Sequence, residues 1–530
     1  MRLVNSLHAD WTSDALSCII NPQTKHPTPA GRLGDPDRMQ NIPSVKMGIV
    51  AVSRDCFPIE LSRARLERVV KACAKRKVDV IPCSVVIESE ADTVKALVEM
   101  RAAGVNAVTI YLGNFGPEAP YTIFAKELGV PFMLCAAAEE SAKDLINGRG
   151  DAYCGMLNAS MNCALRNITP FIPAVPVGLP DDIVNHIVHF TRVARVVNGI
   201  RNLKVFAFGP RPQDFFACNA PIKPMYNLGI EVMENSELDL LQLYQGAAKR
   251  TKEIDAIAKD MAKELGKGNC FSGKLHELAQ FELALLTFFE ANLGSRQFGV
   301  MANKCWPAFE SAFRFVPCFV NSRLSTRGIP VACEVDMYGA ISQYMAQCAT
   351  LLPTTILDIN NTVPADLPIK NLQGATRADL FMGFHCGNTP SCCLCSGCSM
   401  KYQLIMHRLM EPGREPDITV GTLEGRLRPG PITFFRVQGT ADCRLQSYIA
   451  NGNILDADPR SFGGIGIFGI PNFARFYRHV LLEKHYPHHG AVAFDTAGEV
   501  LFDAAKLLGI TDVATPKPAG VLYPNENPFA

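Results

Sequence analysis

The chain has 530 residues, 48% hydrophobic and 19% charged, with 52 Lys+Arg against 51 Asp+Glu. At roughly 150 residues per domain that is enough for about three domains with cores of their own, and the near-neutral balance offers no footprint for nucleic acid or an anionic membrane. No run reaches the roughly 18 apolar residues of a membrane span, and the N-terminus MRLVNSLHADWTSDALSC lacks a basic start followed by an apolar stretch. The 19 cysteines are therefore expected to be mostly reduced, in a cytoplasmic protein.

In chain order, residues 1–45 read as an irregular arm rich in Pro and Gly. From Lys46 short apolar runs alternate with amphipathic helices: KMGIVAVS, LSRARLERVVKACAKR, VDVIPCSVVI, EADTVKALVEMRAAG, NAVTIYLG, a helix at 118–128, and PFMLCAA. This alternation predicts βαβ units around a buried, flavodoxin-like parallel sheet over 46–168. TPFIPAVPVGLP (169–180) reads as a crossover into a second α/β domain over 169–360. Its predicted strands are LKVFAFG, IEVMENS, QFGVMA, PVACEVD and TTILDIN, with helices over 237–265, 275–292 and GAISQYMAQCATLL. After about 361 the rhythm changes to short runs such as DLFMGFHCG, ITVGTLEGRL, ITFFRVQGT and HGAVAF, broken by Gly, Pro and Asp. That predicts a β-rich, barrel-like domain over 361–530 with a terminal helix in TAGEVLFDAAKLLGI. The predicted fold class is thus α/β: two parallel-sheet domains, then a β-rich C-terminal domain.

No P-loop, GxGxxG after a strand, HExxH or GxSxG is present; GNFGPEAP (113–120) reads as a plain βα turn. Parallel sheets without a nucleotide fingerprint still bind ligands beyond the carboxyl ends of their strands, so polar residues there are the candidates. PVACEVD ends in Glu334, with Asp336 two residues on, and TTILDINN delivers Asp358. One helix and a return strand separate the two acids, a spacing that allows neighbouring strand tips. Far downstream HYPHHGAVAF carries His485, His488 and His489 just before an apolar run. Two carboxylates and a neutral imidazole make an oxygen-rich site suited to Mn²⁺ or Mg²⁺. Taken alone, the same residues also suit turn positions, a helix cap and a surface histidine pair.

ACEVDMYGAISQYM, LDINN, FHCGN and PHHGAVAF occur together in an order that resembles the L-fucose isomerase and L-arabinose isomerase superfamily, closer to the fucose isomerases. ANKCWPAF (302–309) is similar to that family's Cys-Trp-Pro stretch. The resemblance implies an aldose–ketose isomerase working through a cis-enediol on a fucose- or arabinose-like sugar, C6-modified sugars included. It implies Mn²⁺, with Mg²⁺ or Co²⁺ as substitutes. Glu334 and Asp358 become metal ligands and the acid/base pair, His489 the third ligand, and His488 a substrate contact. Gln297, in SRQFGV, is similar to the family's substrate-binding Gln; His385 falls where arabinose isomerases carry a further His ligand, though a His at a strand end also suits a structural role; and Trp306 suits either stacking on a sugar face or a place in the core. The family's assemblies imply a homo-oligomer, a hexamer, with the small-molecule sugar as the other partner.

Lys401 and Arg436 suit either an anionic substrate tail or solvated surface charge. HCGNTPSCCLCSGC places Cys386, Cys392, Cys393, Cys395 and Cys398 close together; a zinc or iron–sulfur site and a tight turn filled with small residues both fit. Two other function classes remain open on the residues alone: a non-catalytic sugar-binding protein, and a redox or iron–sulfur protein built on that cysteine cluster.

Overall fold

In the computed structural model, which describes residues 41–219, 221–405 and 416–529, the first apolar runs form a five-stranded parallel sheet. Its strands are β1 (Met47–Val52), β2 (Ile81–Pro82), β3 (Ala107–Leu112), β4 (Phe132–Ala137) and β5 (Val177–Gly178), in the order β2-β1-β3-β4-β5. Every residue of β1, β3 and β4 is buried, so they read as unbroken apolar runs rather than alternating ones. The order is that of flavodoxin-like sheets. The proline-rich segment expected as a crossover contributes β5 to this sheet. Residues 1–40 of the expected arm lie outside the described residues. Just beyond them Asn41 is buried, its side-chain amide donating to the carbonyls of Gly299 and Gly328 and accepting from the Gly299 N–H.

A second parallel sheet follows: β6 (Leu203–Phe208), β7 (Glu231–Asn235), β8 (Phe298–Ala302) and β9 (Val331–Ala332), in the order β7-β6-β8-β9. The helix Pro180–Arg201 buries Ile183, Ile187, Phe190 and Val197 in a core that also takes in residues of β1 and β6. The stretch 237–265, expected as one helix, is two, Glu237–Ala247 and Thr251–Leu265.

The remaining strands are β10 (Thr354–Thr362), β11 (Leu380–His385), β12 (Ser399–Tyr402), β13 (Val420–Arg426), β14 (Gly430–Gly439), β15 (Leu445–Leu455), β16 (Gly464–Gly469), β17 (His489–Ala493) and β18 (Asp512–Ala514). They form one mixed sheet, β12-β13-β16-β11-β10-β17-β14-β15-β18, and an extra β15–β16 pairing brings β16-β11-β10-β17-β14-β15 round into a ring. β10 corrects the sequence reading. It pairs antiparallel with β11 and β17, not parallel with β9, so Glu334 and Asp358 belong to different sheets rather than to neighbouring strands of one. An apolar run ending in an acid has the same pattern in either setting, so the sequence could not choose the partner. The helix Met337–Thr350, buried along almost its whole length, fills the space between the two sheets.

Candidate metal centre

Glu334 sits in the turn that leaves β9. Both Glu334 and Val335 have left-handed backbones, φ 60° and 61°, a conformation that costs non-glycine residues roughly 1–3 kcal/mol. The Val335 N–H donates to the Asn303 carbonyl, and Asn303 is locked by reciprocal 2.9 Å amide bonds with Asn321. The turn is therefore held from the C-terminal end of β8, where it aims the Glu334 carboxylate off the sheet.

Asp358 and His489 are cross-strand partners on β10 and β17. His489 is 1% exposed. Its Nε2 lies 3.3 Å from Glu334 Oε2 and 3.3 Å from Asp358 Oδ1. Neither that nitrogen nor Asp358 Oδ1 has a hydrogen-bond partner, although both are buried. The other ring nitrogen is fully engaged: Nδ1 donates to Asp336 Oδ2 at 2.9 Å, which turns the Nε2 lone pair toward the two acids.

Asp336 does three things at once. It caps the helix Met337–Thr350 by accepting from the Gly339 N–H at 2.9 Å, it orients His489, and it takes a two-point bond from Arg436, Nη1 at 2.8 Å and Nη2 at 2.9 Å. Gly339 is required, because a Cβ there would lie 2.3 Å from Ile356 Cδ1 and 2.5 Å from Asp336 Oδ2. Burial alone would raise the Asp336 carboxyl, but the Arg436 guanidinium and His489 outweigh it and hold it well below the usual carboxylate range. Burial likewise opposes the lowering of Asp358, which comes from His489, His385 and His488. For His489 burial pulls downward, but Cys218, Asp336 and Asp358 push it well above the ordinary imidazole value. A cation on Nε2 would occupy the place of that extra proton.

His385, at the end of β11, is buried with its ring 5.7 Å from that of His489. It accepts the Cys386 N–H at Nδ1, and burial lowers its pKa. A neutral ring with Nδ1 accepting carries its proton on Nε2. His488 Nε2 stands 3.7 Å from Asp358 Oδ1 at the more open side; burial and the neighbouring His489 push it down to about 4. Phe215 meets His488 edge-on at 5.4 Å and Trp306 at 6.3 Å, so these three rings make one wall of the cleft. His485 is in the turn before β17 and makes no part of the cluster.

Two sets of potential ligand atoms emerge, Asp358–His385–His489 and Cys218–Glu334–His489, each within 4.8 Å of one another. The donor chemistry fits a divalent cation: hard carboxylate oxygens, an oriented imidazole, and two buried polar atoms that nothing else satisfies.

Gln297 is not brought to this place. It is exposed at the N-terminal end of β8, whereas the site lies beyond the C-terminal end, about 17 Å away along five residues of strand. It was carried over from the family resemblance of SRQFGV, and β8 separates it from the Cys-Trp-Pro stretch that follows. Arg436 is neither a surface charge nor an anion receptor, since it is 1% exposed and committed to Asp336. Lys401 is on β12, separated from β10 by three strands. In the cysteine-rich turn, Cys392 and Cys393 approach to 4.0 Å and Cys395 contacts the Leu427 carbonyl; among the described residues no three of these thiols converge as a metal site. Cys218 and Phe215 were missed because they arrive on the irregular loop 209–219, which carries no periodic signal. Asp336 was visible only as the acid before a helix.

Two family profiles match the chain: "Fucose/sulfoquinovose isomerase, N-terminal domain" over residues 48–201 and "L-fucose isomerase, C-terminal domain" over 383–514. A sulfoquinovose isomerase of Clostridium sp. (strain MSTE9) is 27% identical over 335 residues, covering 61% of this chain and 68% of that protein. One from Priestia megaterium is 22% identical over 360 residues, covering 67% and 73%.

Proposed function

Because the chain belongs to the fucose/sulfoquinovose isomerase family, a family of aldose–ketose isomerases, we propose that it isomerises a sugar with an anionic group at C6 and that Glu334, Asp358 and His489 hold its metal. The observation that carries this reading is the pair of buried, unsatisfied atoms, His489 Nε2 and Asp358 Oδ1, facing each other beside the Glu334 carboxylate. Leaving one such atom unpaired costs about 1–3 kcal/mol, a cost that ligation removes.

Mn²⁺, with Mg²⁺ or Co²⁺ as substitutes, would supply Lewis acidity for the charge that develops on the sugar's oxygens. The protein's own groups do the rest. One proton must move between C2 and C1 and another between the two oxygens, through a cis-enediol. Glu334 and Asp358 are the base and acid for that exchange. Asp336 and Arg436 keep His489 in the tautomer that leaves Nε2 free. His385 offers its Nε2–H to a sugar hydroxyl, and His488, Phe215 and Trp306 give the ring a flat wall that keeps water from the C1–C2 edge.

The matched relatives are named for sulfoquinovose, a hexose with a sulfonate at C6. Arg211 is suited to such a group. It lies on the loop 209–219 that also delivers Phe215 and Cys218, its guanidinium is 4.4 Å from the Phe216 ring, its Nη1 reaches Asn219 Oδ1 at 3.4 Å, and its buried Nε has no partner. A planar guanidinium matches sulfonate oxygens two at a time.

Self-association belongs to the same reading. Tyr153, Leu157, Met161 and Leu165 recur every four residues along the helix Ala152–Leu165 and are all more than half exposed, an apolar stripe of the kind that subunits cover. Among the described residues no helix is long and apolar enough to cross a membrane.

The test is ketose formation by metal-stripped protein from sulfoquinovose, L-fucose, D-arabinose and L-arabinose, with and without Mn²⁺, beside Glu334→Gln. Manganese-dependent turnover that Glu334→Gln abolishes, fastest on the sulfonated sugar, is expected. Turnover indifferent to both chelation and the substitution would overturn the metal assignment.

A further inference from the structure

Cys218 enters the site from the loop 209–219 and is not needed for the hard-metal chemistry just described. Its Sγ is 3.7 Å from His489 Nδ1 and 3.9 Å from Glu334 Oε2. The thiol is 7% exposed, and one ligand atom from each of Cys218, Glu334 and His489 lies within 4.8 Å of the others. The second indication is independent of the sulfur: His489, itself 1% exposed, has an unpartnered Nε2 that lies 3.3 Å from Glu334 Oε2, the same oxygen the Cys218 sulfur approaches to 3.9 Å. Sulfur, carboxylate and imidazole together are a donor set for thiophilic ions such as Zn²⁺ and Cd²⁺, which prefer thiolate ligands where Mn²⁺ and Mg²⁺ prefer oxygen.

We propose that Cys218, Glu334 and His489 form a soft-metal site overlapping the hard-metal seat, so that Zn²⁺ or Cd²⁺ held there excludes the activating ion. The overlap follows from the shared residues: the proposed hard-metal seat and the soft set both draw on Glu334 and His489, and the one free imidazole nitrogen cannot serve two ions at once. On binding, the Cys218 thiol proton leaves to solvent as the sulfur–metal bond forms, with no change of oxidation state. Other thiols stand behind the site without completing such a set. Cys305 and Cys318 are both occupied by the Gln403 side-chain amide at 3.4 Å and 3.3 Å, and Cys333 points into the core beside Cys305. Among the described residues, Cys218 is the one cysteine that shares the acid and the imidazole.

The exclusion rests on the proposed metal-dependent isomerase, but the soft site itself does not, and the experiment separates the two. Metal-stripped full-length protein is titrated with Cd²⁺ and followed by cadmium NMR, which distinguishes mixed sulfur, nitrogen and oxygen coordination from all-sulfur sites. Wild type is expected to give one mixed-ligand resonance. Cys218→Ser should lose it, with affinity falling by more than about a hundredfold, beyond what removing an outer partner of a ligand costs. Cys154→Ser, at an exposed thiol, should keep it. In a parallel electron-spin measurement, Cd²⁺ should release bound Mn²⁺ from wild type but not from Cys218→Ser. An unchanged resonance in Cys218→Ser would overturn the site. A resonance that needs Cys218 but leaves Mn²⁺ bound would overturn the overlap, and absence of Mn²⁺ binding from the outset would count against the isomerase's metal instead.

Discussion

Arg323 and Arg436 are both buried among carboxylates, and their clusters end in opposite ways. Arg323, on the helix Cys318–Thr326, gives Nε to Glu282 at 2.6 Å, Nη2 to Asp260 at 2.8 Å, and Nη1 to Glu264, while Arg327 takes the other Glu282 oxygen at 2.8 Å. Every nitrogen of the guanidinium meets an acid, and the network ties the helices Thr251–Leu265 and Leu275–Asn292 to its own. Arg436 is as deeply buried and as well paired, but its chain runs on through Asp336 to His489 and stops at a nitrogen with no partner. A closed network is scaffold. A network that delivers order to one unsatisfied atom is a mounting for something not part of the chain.

Substitutions in the two clusters should therefore fail in different assays. The largest effect is expected at the open end: Glu334→Gln should lower kcat by about a thousandfold, in the range for losing a catalytic acid or base, while the denaturation midpoint stays put or rises, as relief of a crowded site allows. Arg323→Met should do the reverse. It leaves the fully buried Glu282 half-paired, with Arg327 on one oxygen alone, and should cost about 3–5 kcal/mol in chemical denaturation, with turnover per folded molecule unchanged.

Asp336→Asn joins the two behaviours, since Arg436 loses its counter-charge and His489 its anchor. About 3 kcal/mol of stability is expected to go, together with roughly 10–100-fold in Mn²⁺ affinity by calorimetry. It also carries a pH signature. The folded-state pKa of Asp336 is depressed, so its contribution is fully present above the ordinary carboxylate range and drains away as pH falls through and below it. Wild type should therefore lose stability on acidification from about pH 5 downward more steeply than the variant. The smallest effect sharpens the substrate reading: Arg211→Gln should raise KM about tenfold for a C6-sulfonated sugar, the scale of one charge-assisted hydrogen bond, and leave KM for L-fucose alone.

What the sequence disclosed follows the same division. Runs buried on both faces announced β1, β3 and β4, and acids ending apolar runs drew attention to Glu334 and Asp358, because a charge beside a core stands out. Asp336 did not stand out, since capping a helix explains an acid there without remainder and its second and third partners are far away in the chain. Arg436, in ITFFRVQGT, alternates like an outward-facing strand residue, and only the closing of the ring turns it inward. Gln297 was carried over by resemblance of a short segment, and the direction of β8 sets it at the far end from the site. The pairing of β10 was hidden for a further reason: what selects β11 and β17 is the ring as a whole, not a local pattern.

The two sides of the metal centre differ in how finely they can be adjusted. Asp358 and His489 face each other across a hydrogen-bonded ladder, where position changes only in whole residues and a single slip turns a side chain to the opposite face. Glu334 hangs from a two-residue left-handed turn, whose dihedrals move by degrees. The centre is thus a vice with one fixed jaw and one screw. Fitting a larger or smaller ion, over generations of sequence change, is a matter of turning Asn303, Val335 and their neighbours, while the ladder keeps the zero of the scale.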